Sequence, residues 1–232
     1  MTTMKRFYAS ALSLALAAAS LPAASAQPGS ADQARAALAR SGAQPGAVEL
    51  SGAERVRALA RASASLNAMR TLQGRFVQWA PSGQATTGDF YLQRPGKLRF
   101  AYDSPASLLI VADGSILAVQ DTALRSVNRA PLRSTPLYFV LKNNIDLERD
   151  ARVTHVARQG DTLYVTARDR TGAAQGDITL AFVGAEAQLR SWDVVDATGA
   201  RTRLALTNVS RPAALDQRLF RTPEPPRTGR PR

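Results

Sequence analysis

The stretch from Gly88 to Gly114, GDFYLQRPGKLRFAYDSPASLLIVADG, constrains this chain more than any other. Phe90 and Leu92 alternate with Asp89, Tyr91 and Gln93, and Leu98, Phe100 and Tyr102 alternate with Lys97, Arg99 and Ala101. A period of two is the signature of a strand with one buried face. Arg94-Pro95-Gly96-Lys97 interrupts the first pair of runs and Asp103-Ser104-Pro105 the second. Proline presets one turn dihedral and glycine accepts positive φ, so both interruptions read as turns. Leu108 to Ala112 is a third run, and Asp113-Gly114 closes it with a strong hairpin signal.

Parity adds a constraint on the first turn. The large apolar residues on both arms are even-numbered. They share a face only if the connecting loop has an odd number of residues or the ladder carries a bulge. Arg94 then stands at a corner beside an apolar face. There it is either a solvated turn arginine or a donor to backbone carbonyls, since guanidinium carries five N–H groups in a fixed fork.

Upstream, Met1–Ala26 has the form of a secretory signal peptide: Lys5 and Arg6, an alanine-rich apolar run, and Ala24-Ser25-Ala26 as a cleavage site. The apolar run is too short for a stop-transfer helix. Residues 27–47 are rich in Ala, Gly, Ser and Pro and read as a flexible leader. Ser51 to Met69 is the best helix, with Ser51 and Glu54 spaced as a capping box and Val56, Leu59, Leu66 and Met69 as its apolar stripe. Thr71 to Trp79 opens the sheet, with Phe76 facing inward and Gly74 marking a bulge or bend. Ser115–Gln120 pairs back through Asp113-Gly114. On Leu108–Ala112 and Ser115–Gln120 both faces carry Leu, Ile or Val, so neither is marked as the solvent face.

Leu132 to Leu147 departs from this pattern. Thr135-Pro136 suits an N-cap followed by the first helical residue, and Leu137, Tyr138, Phe139, Val140 and Leu141 are consecutive apolar residues. A helix apolar all round is either a core helix or a cover over something apolar. From Val153 the chain becomes a meander, with runs at Val153–Arg158, Leu163–Arg168, Ile178–Val183, Leu189–Val195 and Arg203–Val209. Leu215–Phe220 is a short closing element, and residues 222–232 form a proline- and arginine-rich tail. The fold expected is mainly β: one domain, residues 48–221, with about nine to eleven strands. Its strongly curved antiparallel sheet forms an incomplete barrel, with helices covering a hydrophobic cavity.

Composition excludes several functions. The chain has no cysteine, hence no disulfide, thiolate metal site, thiol nucleophile or lipidated cysteine. His155 is the single histidine and sits in an alternating strand, where a packed or exposed ring is expected rather than a catalytic one. Asp193 and Asp196 border a turn without a basic neighbour in sequence and read as solvated carboxylates. No nucleophile elbow, phosphate-binding loop or zinc motif is present. Catalytic residues, metal and cofactor are therefore expected to be none. The formal charge is +12, and without Lys5 and Arg6 it is +10. Such charge suggests nucleic acid, but export and the lack of a basic cluster interleaved with aromatics argue against it. An arginine-favouring composition explains it as well as attraction to anionic lipid headgroups does.

The run GDFYLQRPGKLRFAYDSP followed by LIVADG resembles the periplasmic outer-membrane lipoprotein carriers, the LolA family. LNAMRTLQGRFVQ at Leu66–Gln78 is similar to the family's helix-to-strand passage, and Ser134-Thr135-Pro136 to the start of its lid. The likeness spans about Ala47 to Pro226, and Leu98 stands where the family often has an aromatic residue. The resemblance implies a monomeric periplasmic chaperone that holds the acyl chains of lipoproteins. Its partners are acylated lipoproteins, an inner-membrane releasing ABC transporter, and an outer-membrane acceptor or the outer membrane itself; nucleic acid is not among them. It implies that Arg94 and Pro95 form the lid latch, with Arg94 bonding lid carbonyls. The cavity is then lined by Phe76, Phe90, Leu92, Leu98, Phe100, Tyr102, Leu109, Val111, Leu137, Phe139, Val140 and Leu141. The alternative is a half-barrel module that binds another envelope lipid or senses envelope stress.

Overall fold

The computed structural model describes residues 46–170, 176–196 and 198–224. The expected signal peptide, most of the leader and the end of the tail lie outside them, as does the side chain of Phe139. The described residues form one antiparallel sheet of 12 strands in the order β1-β8-β9-β10-β11-β12-β2-β3-β4-β5-β6-β7. β1 (Val48–Glu49) and β7 (Ser126–Pro131) are its two edges, so the sheet does not close into a barrel. Between them run β2 (Thr71–Trp79), β3 (Ala85–Gln93), β4 (Lys97–Tyr102), β5 (Leu108–Asp113) and β6 (Ile116–Asp121) on one side. On the other run β8 (Ala151–Gln159), β9 (Thr162–Asp169), β10 (Asp177–Val183), β11 (Gln188–Val195) and β12 (Arg201–Ser210). The meander falls where the alternation places it. The sequence misses both edge strands, because β1 is two residues long and β7 (SVNRAP) has no alternating apolar set.

The turn after β3 meets the parity requirement. Gln93 pairs with Lys97, leaving the odd loop Arg94-Pro95-Gly96, and Phe90 faces Phe100 as Leu92 faces Leu98. Register carries the even-numbered face sideways through Leu72, Leu92, Leu98, Ala112 and Leu117. A parallel row runs through Phe90, Phe100, Ile110 and Val119. In the other half Val156, Val165, Leu180, Trp192 and Leu204 form the corresponding row. All belong to one buried apolar cluster on the inner face.

Helix α1 (Gly52–Ala68) packs against β8 and β11 and buries Ala58, Leu59, Ala62 and Leu66. Val56, assigned to the stripe, is 52% exposed; the small residues Ala58 and Ala62 take the packed positions instead. The capping box does not form. Ser51 makes no side-chain cap bond, because Gly52 follows it with φ +51 and the helix is entered through a left-handed step. Gly74 is not itself bulged. The irregularity lies opposite it on β12, between Thr207 and Ser210, and a Cβ at position 74 would stand 2.7 Å from the Thr207 carbonyl oxygen.

From edge strand β7 the chain crosses to β8 through a 3-10 turn (Leu132–Ser134), α2 (Tyr138–Leu141) and α3 (Leu147–Asp150). α2 is one turn long and its N-cap is Leu137, not Thr135. Thr135 instead ends the 3-10 turn, where its Oγ1 bonds the Leu132 carbonyl at 2.8 Å. On the outer face the closing element is a 3-10 turn (Gln217–Phe220) laid on β4 and β5, with Phe220 buried.

Candidate functional site: an apolar concavity and its cover

Five aromatic rings meet on the inner face. Phe76 packs edge-on against Phe100 and Tyr102, each at 4.9 Å between ring centres, while Phe100 lies 6.4 Å from Phe90 and 6.1 Å from Trp192. Gly88 makes this possible: it sits between Phe76 and Tyr102 in the ladder, and a Cβ there would fall 2.6 Å from Phe76 Cε1. The Tyr102 hydroxyl bonds Gln78 Oε1 at 2.6 Å, and burial raises the phenol pKa against the opposing effect of that bond.

The structure brings most of the expected lining residues together. Phe76, Phe90, Leu92, Leu98 and Phe100 are buried on the inner face and Tyr102 joins them. Leu137, Val140 and Leu141 are buried in the crossing segment. Leu109 and Val111 do not belong to this set. Val111 pairs with Arg99 and Leu109 with Ala101, which places both on the face opposite Phe100; the inward neighbours are Ile110 and Ala112. Val111 is buried all the same, on the face that carries the closing 3-10 turn, and so its apolar character is no guide to direction.

Arg94 is no solvated turn residue: it is 8% exposed, whereas Pro95 beside it is exposed. Its Nη2 donates to the carbonyl oxygen of Lys142, directly after α2, and lies 3.4 Å from Asn67 Oδ1. Gly96 N–H donates to the Leu141 carbonyl at 2.8 Å. The three-residue turn therefore holds the end of α2 at two successive carbonyls. Arg94 Nε and Nη1 are buried and have no hydrogen-bond partner among the described residues. Burial, with the Arg70 charge second, lowers the Arg94 pKa to about 10. An incompletely satisfied buried cation is costly, which offsets part of what this bond contributes to closure.

The crossing segment is tied elsewhere too. Lys142 Nζ meets Asp150 Oδ2 at 2.6 Å with both side chains largely buried. Burial alone would raise the Asp150 pKa, but hydrogen bonds from Arg149, Lys142 and the Asp146 amide outweigh it and hold the carboxyl well below its ordinary value. Arg55 on α1 reaches Glu148 at 3.2 Å.

The polar residues noted in the sequence play structural parts. Asp193 is not a solvated carboxylate: it is 2% exposed, with Arg203 Nε at 3.4 Å and Arg201 Nη1 at 3.7 Å. Its basic neighbours come from β12, across the ladder rather than nearby in sequence. Asp196 accepts from Thr198 N–H at 2.8 Å and Ala200 N–H at 3.0 Å, organising its turn. His155 is an exposed strand residue 3.8 Å from Glu49. Among the described residues no three His, Asp or Glu side chains converge as metal ligands would.

Fold and site define a class: an open half-barrel whose apolar inner face lies under a segment tethered at both ends. The family model for the outer membrane lipoprotein carrier protein LolA matches residues 67–223. The outer-membrane lipoprotein carrier protein of Chromobacterium violaceum is 30% identical over 185 residues, covering 74% of this chain and 85% of that protein. That of Halorhodospira halophila is 32% identical over 167 residues, covering 68% and 77%. A putative outer membrane lipoprotein-sorting protein domain from Vibrio parahaemolyticus superposes with a TM-score of 0.47 at 10% identity, over 73% of this chain and 97% of that one. The chain belongs to the LolA family of outer-membrane lipoprotein carriers, a family of carriers and not of enzymes.

Proposed function

We propose that this protein is a periplasmic chaperone that takes the acyl chains of lipoproteins into its concavity and delivers them to the outer membrane. The observation that carries the proposal is the aromatic inner face closed by a segment that a single buried arginine helps to hold. Burial of an acyl chain is worth about 0.8 kcal/mol per methylene, so a matched cavity with no competing state would bind cargo too tightly to release it. The inner face has such a competing state, because its own side chains and those of the segment 132–150 pack into one buried cluster. We read that segment as a lid and Arg94 as its latch. A closed state stabilised by few, imperfect hydrogen bonds lies near balance with an open one, and cargo then passes to a better acceptor.

Met1–Ala26 would direct export and leave Gln27 as the mature N-terminus. An inner-membrane ABC transporter would load the carrier, and an outer-membrane acceptor or the membrane itself would unload it. The test is the intact native mass of the mature protein purified gently from the periplasm. An added mass equal to an acylated polypeptide supports the proposal, and a small lipid mass alone would replace it with a lipid-binding module.

A further inference from the structure

Helix α1 carries a polar pair at helical spacing that local packing does not need. Ser63 and Asn67 are four residues apart and so share a face. Both turn to the backbone of the crossing segment. Ser63 Oγ accepts from Leu147 N–H at 3.1 Å. Asn67 Oδ1 accepts from Ile145 N–H at 2.8 Å, and Asn67 Nδ2 donates to the Ile145 carbonyl at 2.8 Å. An amide side chain that bonds both the N–H and the C=O of one residue acts as a neighbouring strand would, and reads the backbone rather than a side chain. Asn67 Oδ1 also lies 3.4 Å from Arg94 Nη2. One carboxamide thus joins three parts of the chain: α1, the crossing segment and the turn after β3.

We infer that Asn67 is a positioning residue of the lid, a second clamp that holds Ile145 and also seats the guanidinium of Arg94 against the Lys142 carbonyl. This rests on the lid reading above. Ile145 and Leu147 are buried between these ties, so their docking and the two amide bonds form or break together. Without Asn67, Ile145 loses both partners and Arg94 keeps only the Lys142 carbonyl. Loss of these three hydrogen bonds then raises the open-to-closed ratio at least tenfold.

The chain has no cysteine, so a spin-label pair placed by Ser82→Cys, in the exposed turn after β2, and Tyr138→Cys, on α2, reports the lid alone. In the cargo-free mature protein, Asn67→Ala is expected to move the distance distribution toward the longer distances produced by Arg94→Leu. Asn67→Asp keeps the acceptor for Ile145 N–H and Arg94 and loses only the donor, so it is expected to open the lid less than alanine does. A cooperative melt for each variant separates opening from unfolding. A distribution unchanged by Asn67→Ala while Arg94→Leu opens the lid overturns the role of Asn67. Distances unchanged by both substitutions and by bound lipoprotein overturn the lid reading itself.

Discussion

Arg94 donates to the carbonyl oxygen of Lys142 across a sequence gap of 48 residues, and this contact ties the turn after β3 to the end of α2. The guanidinium makes the contact while Nε and Nη1 stay buried without partners among the described residues. Arg94→Leu removes the donor and the desolvated charge together. Hydrogen bonds from a charged group contribute about 1.5–3 kcal/mol, so the closed state should lose most of its advantage over the open one. Thermal stability should change by only a few degrees, since the tie from Arg94 is a small part of a core that extends across the whole sheet. Uptake of lipoprotein should persist, and transfer from the preloaded variant to an acceptor should fall at least tenfold. Transfer at the unsubstituted rate would remove Arg94 from the release step.

How far the sequence could be read depended on whether the deciding contacts were local. The even-numbered faces of β3 and β4 were legible because strand period and turn length are written within 15 residues, Phe90 to Ser104. The direction of β5 was not. Leu109, Ile110, Val111 and Ala112 are apolar on both faces, since the inner cluster takes Ile110 and Ala112 while the closing 3-10 turn lies on the strand from outside. Asn67 left no trace either, because the groups it clamps on Ile145 are backbone groups 78 residues away, which impose no side-chain pattern. The burial of Asp193 is illegible for a related reason: Arg203 is its cross-strand neighbour and not its neighbour in sequence.

Acid should loosen the outer face before the inner one. Arg75 lies 3.0 Å from Asp89 Oδ1 and also meets both oxygens of Asp103, which accepts from Thr87 as well. The bond from Arg75, and less so that from Thr87, holds the Asp103 carboxyl below its ordinary value of 3.8, against the opposing effect of burial. A depressed carboxyl stabilises the fold fully above its unfolded pKa and loses that contribution as pH falls through the folded one. Stability should therefore decline below about pH 4. Asp103→Asn should lower Tm at pH 7 and flatten the decline between pH 4 and pH 2.5. The group is partly exposed, and the effect should stay near 1 kcal/mol. Equal acid slopes for the two proteins would deny the network its role.

Gly88→Ala tests the packing of the aromatic cluster. A Cβ at this position would lie 2.2 Å from the Ala101 carbonyl oxygen and 2.6 Å from Phe76 Cε1, so backbone or ring must move. Overpacking of this kind costs about 1–3 kcal/mol. For a domain of this size that lowers Tm by about 3–10 °C. Calorimetry at neutral pH reads it directly, and a Tm within 1 °C of the unsubstituted protein would show that the strand yields where the inner face is tightest.

Adjacent residues on β5 offer the sharpest test of the proposed acyl-chain site. Ile110 pairs with Phe100 and belongs to the inner cluster, whereas Leu109 pairs with Ala101 and faces the other way. The strand pleat turns neighbouring side chains to opposite faces, so a short-range photoreactive leucine analogue discriminates between them. Placed at position 110 in the lipoprotein-loaded carrier, it should crosslink to the acyl chains. Placed at position 109 it should not, although the two sites are neighbours in sequence and both are apolar. The analogue is close to leucine in volume, so folding should survive at either position. Crosslinking at 109 with none at 110 would move the cargo to the outer face and undo the assignment of the concavity as its site.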